Sequence, residues 1–311
     1  MDASTSKIVF EWQPPATPQI AKIGWYVATD LNNLANRSNS LGTVSTMTLN
    51  AAPGTNHTYY VQSVNDPGYS GRAFNSSIQM PYTFAYYPFE STTKDAYNVY
   101  NMTCNGDLTY DSTIKYIGDQ SLSFNGTDAY TTFSDGFPNI NTWQGMTWTG
   151  WLYLTDNTNY RTIYDIGKDD QTYFFTHLFN NQMYIAVASN QFGPGGYGAN
   201  LAGPAINLNT WDHYTFILGH CNVNAHAMKI YQNGVLSATT DVAIGISNIS
   251  PTTGQFGKSF AIAYPTLQGY MDDVGIFNYD LNDNQISYIY NMQVANQTSL
   301  SSMISTITGL A

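Results

Sequence analysis

The sequence predicts an all-β fold, two β-sandwich modules followed by a short helical tail. Short runs of Val, Ile, Tyr, Phe, Trp and Thr recur along most of the 311 residues and are broken by Pro, Gly and Asn, the spacing expected of sandwich strands. Asn233-Gly234 sits between Ile230-Tyr231 and Val235-Leu236, and both turn positions tolerate positive φ, so this is a strong hairpin signal. Gly269 to Tyr290 reads as a buried strand, a turn and a short amphipathic helix.

Composition narrows the function classes. Charged residues are 10% of the chain against a usual quarter, while apolar residues at 43% suffice for a core. Polar surface therefore comes mainly from amides and hydroxyls. A formal charge of -11 with ten Lys plus Arg removes the electrostatic basis for wrapping nucleic acid or adsorbing to anionic lipid. No stretch reaches the roughly 18 apolar residues of a membrane span, so no membrane insertion is expected. Met1 to Phe10 lacks the basic and apolar regions of a signal peptide, so the expectation is a chain kept in a cytoplasm or one whose leader was removed. Cys104 and Cys221 are too few for a disulfide scaffold, and the sequence leaves a bridge between them open. Glycosylation acceptors begin at Asn36, Asn56, Asn75, Asn101, Asn125, Asn248 and Asn296, close to the roughly six that chance gives, so they decide nothing.

Residues 1–80 form the first module. Val9-Phe-Glu-Trp-Gln-Pro-Pro15, Ile23-Gly-Trp-Tyr-Val-Ala28 and the run from Ala52-Pro-Gly54 to Asn65 follow in order, with Asp66-Pro-Gly-Tyr-Ser-Gly71 as a turn. This order resembles a fibronectin type III domain, where a Trp before a Pro pair ends the second strand and a Pro-Gly turn precedes a Tyr-rich strand. Too few residues precede Trp12 for the usual first strand and its connection.

Residues 81–292 form the second module, with longer strands and loops. Its landmarks are Gln120-Ser-Leu-Ser-Phe-Asn-Gly126, Met146-Thr-Trp-Thr-Gly-Trp-Leu-Tyr153, Thr210-Trp-Asp-His-Tyr-Thr-Phe216, Met228 to Leu236, and the closing Gly269–Tyr290 segment. Their order resembles a laminin-G-like jelly roll of the concanavalin A-like lectin/glucanase superfamily. The resemblance implies a lectin, an adhesion module or a glycosidase. Glycosidases of this superfamily use paired carboxylates on one strand. The two glutamates, Glu11 and Glu90, have no acidic partner a few residues away, so no enzyme is expected.

Residues 293–311 form a tail in which Leu300, Met303, Ile304, Ile307 and Leu310 fall at helical spacing. Two readings stand: the stripe packs back on the sandwich, or it docks into another subunit.

Candidate site residues are few. Asp272 shares the parity of Val274 and Ile276 and is expected to point inward unless a bulge intervenes. The resemblance implies a calcium ligand there, with Asp128 and backbone carbonyls of the Phe124–Asp128 region, while the alternative is a carboxylate that accepts ordinary hydrogen bonds. His220, Cys221 and His226 lie in one loop without a second nearby cysteine, a weak transition-metal signal. His213 alternates with Trp211 and reads as a sandwich residue. For glycans, which stack on aromatic rings and hydrogen-bond to amides, the loop from Gln191 to Asn200 offers Phe192, Tyr197 and Asn200.

The combined expectation is a non-enzymatic surface-interaction protein. It is read as a virion or phage component such as a minor capsid, fibre or spike protein with a lectin-like module, assembled in a host cytoplasm. Its partners would be other structural subunits, a homo-oligomer or a cell-surface glycan. A secreted carbohydrate-binding adhesin and a divergent glycoside hydrolase are the alternatives.

Overall fold

The structure is a computed structural model. It describes the backbone of five strands within residues 6–79, and residues 83–133, 143, 145–158, 160–169, 171–190, 197–219, 226–249, 251–259 and 264–309. The chain divides into two units, Met1–Tyr82 and Thr83–Ala311.

In the first unit β1 (Ser6–Glu11), β2 (Ile23–Ala28), β3 (Thr46–Ala51), β4 (Asn56–Asn65) and β5 (Phe74–Gln79) form two antiparallel sheets. β1 pairs with β3, and β4 lies between β2 and β5.

The second unit runs through β6 (Thr83–Tyr87), β7 (Met102–Asn105), β8 (Thr109–Asp111), β9 (Ser121–Asn125), β10 (Tyr130–Phe133), β11 (Met146–Leu154) and β12 (Thr162–Asp169). β13 (Thr172–Phe179), β14 (Gln182–Ser189), β15 (Tyr197–Ala205), β16 (Trp211–Leu218), β17 (His226–Gln232) and β18 (Val235–Val242) follow. α1 (Ile246–Ile249), β19 (Thr253–Phe256), β20 (Gln268–Phe277), α2 (Asp283–Asn296) and α3 (Leu300–Gly309) close the chain. Seven strands form one sheet in the order β15-β14-β13-β12-β19-β10-β7. The other, eight-stranded, runs β18-β17-β16-β11-β20-β9-β8, with β6 pairing beside β9 along β20. Asn233 and Gly234 turn the β17–β18 hairpin at φ 52° and 76°, as the sequence predicts.

Alternation sorts the side chains between layers. Trp148, Tyr164, Phe174, Phe216 and Phe256 are fully buried between the sheets, and Trp148 stacks on Tyr164 with centroids 5.7 Å apart. The opposite face of the eight-stranded sheet buries Tyr86, Ile217, Tyr231 and Phe277 against Ile286 and Ile289 of α2 and Leu300, Met303 and Ile307 of α3. The second unit is therefore three-layered, sheet on sheet on helices. Asn282 and Gln285 start α2 with reciprocal capping bonds. Gly275 lies under Leu300, where an added Cβ would stand 2.2 Å from a Leu300 methyl.

β20 carries a bulge opposite Gly150, between the Thr149 and Trp151 pairings, with Asp273 at φ 49°. The bulge corrects the expectation that Asp272 faces the sandwich interior. Val274 meets Gly150 on the inner side, whereas Asp272 pairs opposite Trp151 and faces the outer, partly helix-covered side together with Asp273.

Candidate functional site

The outer face of the seven-stranded sheet is built from alternate residues. In β13, Phe174, Thr176 and Leu178 enter the core, so Tyr173, Phe175, His177 and Phe179 face outward. Tyr184 of β14 pairs opposite His177, and Tyr160 and Tyr264 reach the same face from loops. The rings stand nearly parallel. Tyr160 stacks on Tyr264 at 4.5 Å and on Phe179 at 4.6 Å, while His177 stacks on Phe175 at 4.7 Å and on Tyr184 at 5.4 Å. Tyr160, Tyr173, Phe179, Tyr184 and Tyr264 are half-buried, so their free edges and faces reach solvent. Tyr160 holds φ at 63°, an unfavourable region for an aromatic residue, and its rings' neighbours fix it there.

Polar groups lie beneath and beside these rings. Register places Asn200, Ala186, Phe175, Asp165, Gln255, Thr132 and Thr103 in one row across the face. The adjacent row is Ala202, Tyr184, His177 and Thr162. His177 Nδ1, Thr162 Oγ1 and Gln255 Oε1 are buried without a hydrogen-bond partner. Comparable unpartnered atoms, those of Trp148, Tyr164 and Thr176, lie between the sheets, so these three are part of the buried floor beneath the rings. The Asp165 carboxylate accepts the Ser259 hydroxyl at 2.6 Å. Burial pushes His177 down to about 4, so it is neutral at physiological pH.

A family model described as the concanavalin A-like lectin/glucanases superfamily matches residues 125–287, just over half of the chain. The chain belongs to this superfamily. It is similar to domain 4 of AbnA, a GH43 extracellular arabinanase from Geobacillus stearothermophilus solved with arabinotriose. That match has 16% identity and a TM-score of 0.53, over 68% of this chain and 100% of that one. It is also similar to the binding domain of botulinum neurotoxin serotype G, with 16% identity, a TM-score of 0.51 and 68% and 51% of the two chains covered. The binding domain of botulinum neurotoxin DC in complex with SialylT gives the same identity, score and coverage. The chain spans about half the length of these neurotoxin domains. No curated protein matches it.

The expected glycan residues divide. Asn200 is exposed and lies in the row of Phe175 and Asp165, on the aromatic face of this concanavalin A-like domain. Phe192 and the Tyr197 side chain lie outside the described residues, as do His220, Cys221 and the His226 side chain. Sequence reading missed the face itself, although Tyr173-Phe-Phe-Thr-His-Leu-Phe179 carried the signal, with aromatic rings at every second position. A second aromatic row lies on the eight-stranded sheet, where Tyr153 meets Trp211 at 5.6 Å and Tyr270 at 5.7 Å, all half-buried.

The structure places the two acids of the calcium expectation in different surroundings. Asp272 is fully buried and its Oδ2 accepts backbone N–H groups of Tyr116 at 2.7 Å and Ile117 at 3.0 Å. Asp128 is exposed and accepts instead from Asn125 Nδ2 at 2.7 Å and Asp107 N at 3.3 Å. The two acids thus sit in separate networks, and no group of three or more His, Cys, Asp or Glu suited to a metal comes together among the described residues. The Gly126 carbonyl, within the region expected to help hold calcium, accepts from Arg161 at 3.3 Å. The same guanidinium takes the Thr266 carbonyl at 2.5 Å and pairs with Asp156, so a side-chain cation gathers these oxygens.

Asp273 holds the helical layer. Its carboxylate accepts from the Tyr86 hydroxyl, from Gln293 Nε2 and from the Leu300 N–H at the start of α3. Gln293 in turn accepts from Trp151 Nε1 at 2.8 Å. Burial pushes Asp272 up to about 8 and Asp273 up to about 7. Leu300, Met303 and Ile307 are consumed in this packing, so they present no free stripe to another subunit, while Leu310 and the Ile304 side chain lie outside the described residues. His213 is buried on the same side, with Nε2 3.0 Å from Thr149 Oγ1. Cys104 is a free, exposed thiol on β7, and Cys221 lies outside the described residues. None of the described helices is long and apolar enough to cross a membrane.

Proposed function

We propose that this chain is a non-enzymatic carbohydrate-binding protein whose site is the aromatic face of the seven-stranded sheet. The observation that carries the reading is the set of half-buried rings of Tyr160, Tyr173, Phe179, Tyr184 and Tyr264 gathered on one sheet face. Sugar rings present apolar C–H faces and a rim of hydroxyls, and need such a surface. The solved domains with arabinotriose and with SialylT support this reading by fold alone. Absence of turnover is part of the proposal, since the central row carries the single carboxylate of Asp165 where glycoside hydrolysis uses two.

The biological setting belongs to the same proposal. A low-charge, hydroxyl- and amide-rich chain suits display on a virion or phage particle, in contact with cell-surface glycans. The first unit serves as a fibronectin type III-like spacer. Its pairing of β1 with β3, and of β4 between β2 and β5, matches the B–E and C–F–G pairings of such sandwiches.

Screening the full chain against a glycan array tests the function. Wild type is expected to retain defined glycans, and Tyr160→Ala with Tyr184→Ala is expected to lose them while keeping the far-UV circular dichroism of the wild type at room temperature. Retention by the double variant, or release of reducing sugar by wild type, would contradict the proposal.

A further inference from the structure

The strands that end the two sheets of the second unit are not equally protected against pairing with another chain. β7 is four residues long and β8 three, too short to template a partner, and β15 carries Pro204, which has no N–H to offer. β18 ends the eight-stranded sheet and differs from all three. It is eight residues long, holds no Pro, Lys or Arg, and includes the β-branched residues Val235, Thr239, Thr240 and Val242. Among the described residues no strand pairs with its outer edge. Val235 and Leu236 at its start are 67% and 42% exposed. Tyr290 lies against the adjoining Gly234, and exposed Val294 follows one turn along α2, so the edge is flanked by an apolar patch.

The pattern of this edge fits a second copy of itself. Its register with β17 shifts beside Leu236, which leaves Ala238–Val242 as the regular stretch. There Ala238, Thr240 and Val242 share the side of Met228 and Ile230, while Thr239 and Asp241 are exposed on the helical side together with Lys229. An antiparallel partner must match these sides, and the same strand does so about a two-fold axis at Thr240. Ala238 then opposes the partner's Val242, and Thr239 opposes the partner's Asp241. In that row Thr239 stands between its own Lys229, its neighbour on β17, and the partner's acid. The two charges are two strand spacings apart, about 10 Å between backbones, a gap that a lysine and an aspartate side chain bridge together. Among the described residues neither Lys229 nor Asp241 forms an ion pair within the chain. The row occurs twice by symmetry.

We propose that the chain forms a two-fold dimer in which β18 pairs with β18 of a second copy, with Lys229 and Asp241 fixing the register. The two eight-stranded sheets become one continuous sheet. Because the axis runs through that sheet, both seven-stranded sheets fall on the same side and both aromatic faces look the same way. Two sites so presented would convert weak saccharide contacts into avidity. This consequence rests on the glycan reading above, whereas the dimer itself does not.

Sedimentation velocity of the full chain tests the dimer over about 1 to 100 µM, the range in which an interface of modest size dissociates. The wild type should reach twice the 34.4 kDa of one chain at the upper end. Asp241→Lys and Lys229→Asp each set like charges against one another in both rows, so each should weaken association about tenfold or more. The exchange of both residues in one chain should restore it. Asp241 is exposed, so its variant decides the matter even if the Lys229 variant folds poorly, and far-UV circular dichroism checks both. A wild type that stays monomeric throughout, a dimer that Asp241→Lys leaves unweakened, or a well-folded double variant no stronger than the single ones overturns the proposal. A wild-type dimer that retains no glycan on the array would instead remove the functional reading and leave the interface standing.

Discussion

Raising the pH should destabilise the second unit, through Asp272. This carboxyl is fully buried, its pKa is raised by burial to about 8 from the ordinary carboxyl value of 3.8, and Asp273 beside it is raised to about 7. Among the described residues no Lys or Arg pairs with either; the groups facing them are the Tyr86 hydroxyl, the Gln293 amide, backbone N–H groups and, at longer range, Glu90. Between the unfolded and folded pKa values the folded state holds more protons, so stability is greatest at the acid end and falls as pH rises. Two buried histidines oppose this at lower pH. His213 and His177 are pushed down to about 3 and about 4 from 6.5, which makes stability rise with pH up to about 6.5. The window from pH 6.5 to 8 therefore isolates the carboxylates. At about 1.4 kcal/mol per pH unit, Asp272 alone accounts for roughly 2 kcal/mol over it, or a fall of roughly 4–8 °C in the main calorimetric transition. Asp272→Asn keeps an acceptor oxygen for the Tyr116 and Ile117 N–H groups and places its amide where Oδ1 has no partner. It should remove most of the fall and melt higher than wild type at pH 8. A wild-type midpoint that climbs across this window, or a variant with the same slope, would refute the electrostatic account of the bulge.

Other outcomes follow from single contacts. Arg161→Met strands the Asp156 carboxylate and the Gly126 and Thr266 carbonyls, so a loss of about 3–5 kcal/mol is expected in urea unfolding. With Arg161 intact, excess chelator should leave the melting temperature of the wild type unchanged; a drop would point to a resident cation. Gly275→Val drives a side chain into Leu300 and should cost about 1–3 kcal/mol, with hydrogen exchange across 300–309 rising first. Tyr184→Ala removes a ring stacked on His177, and titration should register roughly tenfold weaker glycan binding.

Much of this architecture is visible in local pattern. The Asn233-Gly234 hairpin, the Met146–Tyr153 strand and the β20-to-α2 closing element rest on turn chemistry and periodicity that neighbouring residues state for themselves. The direction of Asp272 could not be read this way, because one bulge reverses the parity of everything before it and no residue type demands a bulge there. The binding face was hidden for a different reason. Its residues come from β12, β13, β14, β15, β19 and two loops, and only the strand order brings Tyr160, His177, Tyr184, Asp165 and Gln255 together. The tail stripe was legible as amphipathic, but amphipathicity does not name its partner; Gly275 and the Asp273 carboxylate do.

A crystal structure of the full chain with an oligosaccharide retained on the array tests the central claim most directly. Sugar density should lie on the seven-stranded sheet, with a ring against Tyr160, Tyr184 or Tyr264 and hydroxyls within hydrogen-bond reach of His177 Nδ1 or Gln255 Oε1. Density confined to the Trp211–Tyr153–Tyr270 row of the other sheet, with the aromatic face empty, would contradict it.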